Sequence, residues 1–153
     1  MTTLTGFSNI TTREINPTGA YNSVLVIDDN AADRLIFRQM IQQSNFAKKI
    51  LEADSAKSVI DWLMTFGKKP DETVPGFIFL DLMMPEMSGF EFLDAFARLP
   101  SAIKIRCRII VFSASPDVLN RKKVLQHKTV YDYFSKPLKV EYFIQILRDF
   151  KLV

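Results

Sequence analysis

Two hydrophobic patterns alternate along this chain. From residue 23 onward, short continuous apolar runs rich in branched and aromatic residues recur: SVLVI (23–27), KILEA (49–53), FIFL (77–80), RIIVF (108–112) and VYDYF (130–134). Runs of this length and composition predict buried strands. Between them, apolar residues repeat at helical spacing. Ala32, Leu35, Ile36 and Met40 mark a first helix, and Ala56, Val59, Ile60, Leu63 and Met64 a second. Ser88 and Glu91 predict a capping box ahead of Leu93, Phe96 and Ala97, and Pro100 closes this third helix. A fourth opens at Ser115-Pro116, with Pro at the first helical position, and runs to about Gln126 with a thin apolar face. Val140, Phe143, Ile144 and Leu147 mark the fifth.

The order is β-α five times over. Near-continuous apolar strands alternating with helices predict an α/β fold with a parallel sheet covered on both faces. Residues 1–21 read as a tail or arm ahead of one domain spanning 22–153, with a turn signal at Asn16-Pro17-Thr18-Gly19. The loop GKKPDETVPG (67–76) is long and polar.

Composition narrows the picture. A chain of 153 residues suggests one domain, large enough to bury its core without a disulfide or metal staple. Its one cysteine, Cys107, excludes an intramolecular disulfide and reads as a small apolar filler. No apolar run approaches the ~18 residues of a membrane span, and the first residues lack an apolar signal core, so no membrane insertion and a cytoplasmic location are expected. Net charge is +3, but Lys48-Lys49, Lys68-Lys69 and Arg121-Lys122-Lys123 are scattered clusters without interleaved aromatics. They read as solvated surface, and no nucleic acid is expected as a partner. His127, the sole histidine, is expected to lie exposed near the end of the fourth helix.

The polar residues that end the predicted strands carry the chemistry. The first strand ends in Asp28-Asp29, the third in Asp81, the fourth in Ser113 and the fifth in Lys136. The second ends in Glu52-Ala53-Asp54-Ser55, which reads as a loop and helix cap. Parallel strands share a carboxyl edge, where ligands of such sheets bind. Three converging carboxylates repel one another unless a cation intervenes, and oxygen-only ligands select a hard ion such as Mg²⁺. An amine and a hydroxyl beside it complete a clamp for a phosphoryl group. A carboxylate can itself be the nucleophile, forming an aspartyl-phosphate. Asp81 stands alone on a strand expected to be central, which favours it for that role. Asp28 and Asp29 suit a metal-holding pair, and the side chains of Met83 and Met84 are expected to pack around the site.

The segments VLVIDDN, FIFLDLMMPEMSGFEFL, IIVFSAS and YFSKP, in this order, resemble the receiver domain of two-component response regulators. The resemblance spans about Ser23 to Phe150. It implies a flavodoxin-like doubly wound sheet of five parallel strands in the order 2-1-3-4-5, with five helices. It implies that Asp81 is the phosphoacceptor, that Asp29 ligates Mg²⁺, and that Asp28 holds a water of the metal. Met83 would offer its backbone carbonyl to the ion. Ser113 and Lys136 would contact the phosphoryl group, and the Lys136-Pro137 bond is often cis in relatives. Ser113 would also pair with Tyr133 as a switch, the ring moving from outside to inside on phosphorylation. The implied donor is a phosphohistidine on a sensor histidine kinase or a histidine phosphotransfer protein. A downstream protein would bind the face formed by the fourth helix, fifth strand and fifth helix. Thr129-Val130 stand where many relatives carry Gly-Ala.

The implied function is a stand-alone regulator that promotes its own phosphorylation and dephosphorylation without being an enzyme acting on other substrates. Other readings stay open. A phosphorelay intermediate would pass the group on to a phosphotransfer histidine, and a degenerate receiver would act only as a scaffold. A haloacid-dehalogenase-type phosphatase would need a second acid two residues after the nucleophile, where this chain has Met83.

Overall fold

The computed structural model describes residues 1–114 and 118–152. Among them the elements run β1 (Thr2–Leu4), β2 (Phe7–Glu14), β3 (Tyr21–Ile27), α1 (Ala31–Gln43), β4 (Ala47–Ala53), α2 (Ala56–Met64), β5 (Phe77–Asp81), α3 (Gly89–Ala97), α4 (Ser101–Lys104), β6 (Arg108–Ser113), α5 (Val118–Leu125), β7 (Val130–Ser135) and α6 (Val140–Asp149). The sheet order is β1-β2-β4-β3-β5-β6-β7. Its parallel part, β4-β3-β5-β6-β7, is the expected order 2-1-3-4-5.

The expected five strands and five helices are corrected to seven strands and six helices among the described residues. Residues 2–14, read from sequence as part of a tail or arm, form a hairpin whose second strand pairs antiparallel with β4, from Ile10 opposite Ala53 to Glu14 opposite Lys49. The hairpin is hard to see in FSNITTRE because only Ile10 is fully buried there. The extra helix is the single turn α4, directly after Pro100. The proline that ends one helix thus also leads into another, its own carbonyl accepting the Ile103 and Lys104 N–H groups. The predicted turn at Asn16–Gly19 is present, closed by the Gly19 N–H donating to the Asn16 carbonyl.

Side-chain alternation explains why these strands read as unbroken apolar runs. Leu25, Ile27, Ile78, Leu80, Ile109 and Val111 point to one face, against α2 and α3. Val24, Val26, Phe77, Phe79, Ile110 and Phe112 point to the other, against α1 and α6. Both faces are covered, so both sets must be apolar. The second face is aromatic. Phe37, Phe46, Phe79, Phe112 and Phe143 meet there mainly edge-on or tilted, with centroids 5.0–6.2 Å apart. Each such ring contributes about 1.5–3 kcal/mol by leaving water.

One helix is rotated from its expected phase. In α1, Leu35 and Ile36 are 44% and 40% exposed, while Phe37 and Ile41 are buried. The stripe runs along Phe37 and Ile41, which also carries Arg34 and Arg38 toward buried polar partners. In α2, Trp62 takes the buried place expected of Met64, which is exposed. The capping box at Ser88 and Glu91 is present in both directions. The Ser115-Pro116 cap lies outside the described residues.

Candidate functional site

Strand register brings the polar ends together. Ile27 lies opposite both Ala53 and Leu80, Asp81 opposite Phe112, and Ser113 opposite Ser135. The residues that follow Ile27, Asp81, Ser113 and Ser135 therefore emerge along one edge of the sheet. The turn after β5 is closed by the Gly89 N–H donating to the Leu82 carbonyl at 2.9 Å. Gly89 is needed there. A Cβ would lie 2.7 Å from the Asp81 carbonyl oxygen and 2.7 Å from Leu82 Cα.

Three acids meet in this turn region. Asp28, Asp29 and Asp81 each offer a carboxylate oxygen, and the three oxygens lie within 4.8 Å of one another. Asp28 is 1% exposed and Asp81 8%, whereas Asp29 is open to solvent. Asp28 Oδ1 accepts the Asn30 N–H at 2.9 Å, and Asp81 Oδ1 faces the Met83 N–H at 3.4 Å. Burial pushes the Asp81 carboxyl up to about 6; the Lys136 charge opposes this and the Asp28 charge adds to it. Asp28 is raised as well, again chiefly by burial. Three carboxylates at this spacing, two of them buried, fit a hard divalent cation: the donors are all oxygen, and one side remains open to solvent at Asp29.

Lys136 reaches the same point from the far strand. Its Nζ lies 3.0 Å from Asp28 Oδ2, 2.9 Å from Asp33 Oδ2 and 3.8 Å from Asp81 Oδ2. Its backbone N–H donates to the Ser113 carbonyl at 2.9 Å, which ties the ends of β6 and β7. The Lys136-Pro137 peptide bond is cis. Ser113 is fully buried at the end of β6. Tyr133 is 3% exposed and belongs to the core on the α2 and α3 side. The side chain is therefore buried, the position implied for the phosphorylated state. Arg121 donates to the Tyr133 carbonyl at 3.0 Å and sits 5.8 Å over its ring.

Some expectations change here. The Met83 side chain does not pack around the site but is 66% exposed; Met84 does pack, against the α2–α3 core. His127 is half-buried, not exposed, with Nε2 3.8 Å from Asp94 Oδ1 across the gap to α3. Arg121 contacts Asp132 and Tyr133, and Lys123 lies 4.7 Å over the Phe90 ring, so this cluster is not simply solvated. Cys107 is buried as expected, which pushes its thiol up to about 12.

Sequence patterning does not single out three neighbours of the site. Asp33, in the first turn of α1, pairs with Lys136. Arg34 donates to the Asp28 carbonyl at 2.8 Å. Glu52, read as part of an ordinary loop, is 5% exposed inside β4 and takes a bidentate pair from Arg38 at 2.7 and 3.0 Å. The available signals were a lone acid within an apolar strand, and Asn30 three residues ahead of Asp33, the spacing of a cap.

Comparison with known proteins identifies the family. Residues 24–148 match the response regulator receiver domain family. The two-component response regulator ORR11 of Oryza sativa is 27% identical over 121 residues, covering 79% of this chain and 75% of that protein. The chemotaxis protein CheY of Listeria monocytogenes is 33% identical over 85 residues, 55% of this chain and 65% of that one. A crystal structure of a two-component response regulator from Cytophaga hutchinsonii superposes with a TM-score of 0.75 over 84% of this chain and 96% of that chain. At 24% identity that likeness speaks for the fold alone. The chain belongs to the response regulator receiver domain family, whose members are phosphoacceptors of two-component signalling.

Proposed function

We propose that Asp81 accepts a phosphoryl group from a phosphohistidine, on a sensor histidine kinase or a histidine phosphotransfer protein, in the presence of Mg²⁺. One observation carries this reading: the oxygens of Asp28, Asp29 and Asp81 within 4.8 Å of each other, with the Lys136 ammonium 3.8 Å from Asp81. Asp28, Asp29, Asp81 and the Met83 backbone carbonyl would hold the ion. When bound, it supplies positive charge to the attacking carboxylate and to the incoming phosphoryl oxygens.

The chain's own residues do the rest. An Asp81 carboxylate oxygen forms the new bond to phosphorus. The P–N bond breaks, its electron pair passes to the imidazole, and solvent supplies the proton that nitrogen needs. Lys136 pairs with a phosphoryl oxygen, and the Ser113 hydroxyl donates to another. Later, water attacks phosphorus, the bond between the Asp81 oxygen and phosphorus breaks, and inorganic phosphate leaves Asp81 as a free carboxylate. Tyr133 lies on the strand paired with Ser113's strand, and that adjacency supports a switch between these two residues that answers to the charge at Asp81. The output we propose is a protein contact on the face of α5, β7 and α6, acting in the cytoplasm.

Intact-mass measurement after incubation with Mg²⁺ and acetyl phosphate tests this. The wild type should gain one phosphoryl group and Asp81→Asn none. A wild type that stays unmodified, or an equal gain in the variant, overturns the reading.

A further inference from the structure

Lys136 is shared unequally. Its ammonium sits 2.9 Å from Asp33 and 3.0 Å from Asp28, and is 3.8 Å from the acceptor Asp81. Two of its contacts are thus hydrogen bonds, and the third is only a through-space ion pair. The two close partners differ in kind. Asp28 belongs to the trio that fits a cation. Asp33 stands outside that trio and is fastened by its own backbone, whose N–H donates to the Asn30 side chain at 3.1 Å at the start of α1. Lys136 is largely enclosed, its side chain 16% exposed, so this pair is screened less than a surface one.

We propose that Asp33 is a positioning residue that holds the Lys136 ammonium back from Asp81, so that an arriving phosphoryl group must compete with Asp33 for it. The inference rests on the functional reading above and deepens it. A carboxylate anchored on α1 stabilises the phosphoryl-free arrangement. Its removal frees the amine for the acceptor side and strengthens binding of a phosphoryl group there. The α1 anchor also ties the lysine loop after β7 to the helix that follows Asp28-Asp29. The state of Lys136 is therefore felt at α1 as well as at the acceptor.

The test is a double-mutant cycle with Asp33→Asn, Lys136→Met and the double variant, using Mg²⁺ and the phosphoryl mimic beryllofluoride in titration calorimetry. Asp33→Asn should bind the mimic about three- to tenfold more tightly than wild type. In the Lys136→Met background the same substitution should change nothing. Asp33→Glu, which keeps the charge, should return affinity toward wild type. A gain that persists without Lys136 would reflect general charge repulsion and overturn the proposal, as would no gain at all. A second cycle needs neither metal nor mimic. Urea-denaturation free energies of the four metal-free proteins should be non-additive, and additivity overturns the proposal. A wild type that takes no phosphoryl group from acetyl phosphate would sink the functional reading while this metal-free cycle still reports on Asp33.

Discussion

At Asp81, burial and neighbouring acids work against the charge the site needs. Its carboxyl is pushed up to about 6, chiefly by burial, with Lys136 opposing. An unfolded chain holds a carboxyl near ~3.9. The folded value is the higher one, so this group adds stability below the unfolded value and loses it as pH rises to about 6. Asp81→Asn carries no such loss. In metal-free buffer the variant should be more stable than wild type by about 1–2 kcal/mol near neutral pH, allowing for solvent screening. The gap should close as pH falls from about 6 to about 4, as read by urea denaturation at a series of pH values. Added Mg²⁺ should narrow it from the other side, by binding the folded wild type. At Gly89 the constraint is steric. Ala there would meet two backbone atoms at 2.7 Å, one of them the Asp81 carbonyl oxygen. We expect Gly89→Ala to cost about 1–3 kcal/mol in urea and to slow phosphorylation by acetyl phosphate, because the relief available is a shift of the Asp81 backbone.

Among elements, the junction of α1, β4 and the hairpin is organised by one buried acid. Glu52 takes two hydrogen bonds from Arg38 and has Arg34 and Arg13 at 3.8 and 3.7 Å. Arg34 also holds the Asp28 carbonyl, so Glu52 indirectly braces the strand end that carries the acidic pair. Glu52→Gln keeps the shape and leaves three arginines facing a neutral amide. It should lower the urea-denaturation free energy by about 1–3 kcal/mol; a value within error of wild type would show the cluster to be solvated. The phase of α1 follows from the same junction. Leu35 and Ile36 are as apolar as Phe37 and Ile41, so periodicity alone admits either stripe. The stripe through Phe37 and Ile41 places Phe37 in the aromatic cluster and Arg38 on Glu52 at once.

The whole molecule is a five-stranded receiver sheet widened by a hairpin. The hairpin covers the edge of β4 and buries Ile10 against it. Removing residues 1–14 would leave that strand's N–H and C=O groups open on an apolar edge. The truncated protein should melt at a lower temperature and self-associate in light scattering, while still gaining a phosphoryl group at Asp81. Loss of that gain in a folded truncation would show that the hairpin completes the site.

How much could be read beforehand depended on whether the signal was local. The five parallel strands, the Ser88–Glu91 cap and the polar strand ends were visible because each is a short run whose chemistry has one economical place in an α/β sheet. Fold class, the acidic trio and Lys136 were therefore determined by the sequence itself. Tertiary structure alone decided the hairpin strand in a polar segment, the rotation of α1, the burial of Glu52 and the pairing of Asp33 with Lys136. In each of these the deciding contact joins residues far apart in the chain, such as Lys136 and Asp33 or Arg13 and Glu52. Periodicity and spacing describe neighbours along the backbone, whereas a buried charge takes whichever partner the folded sheet brings to it.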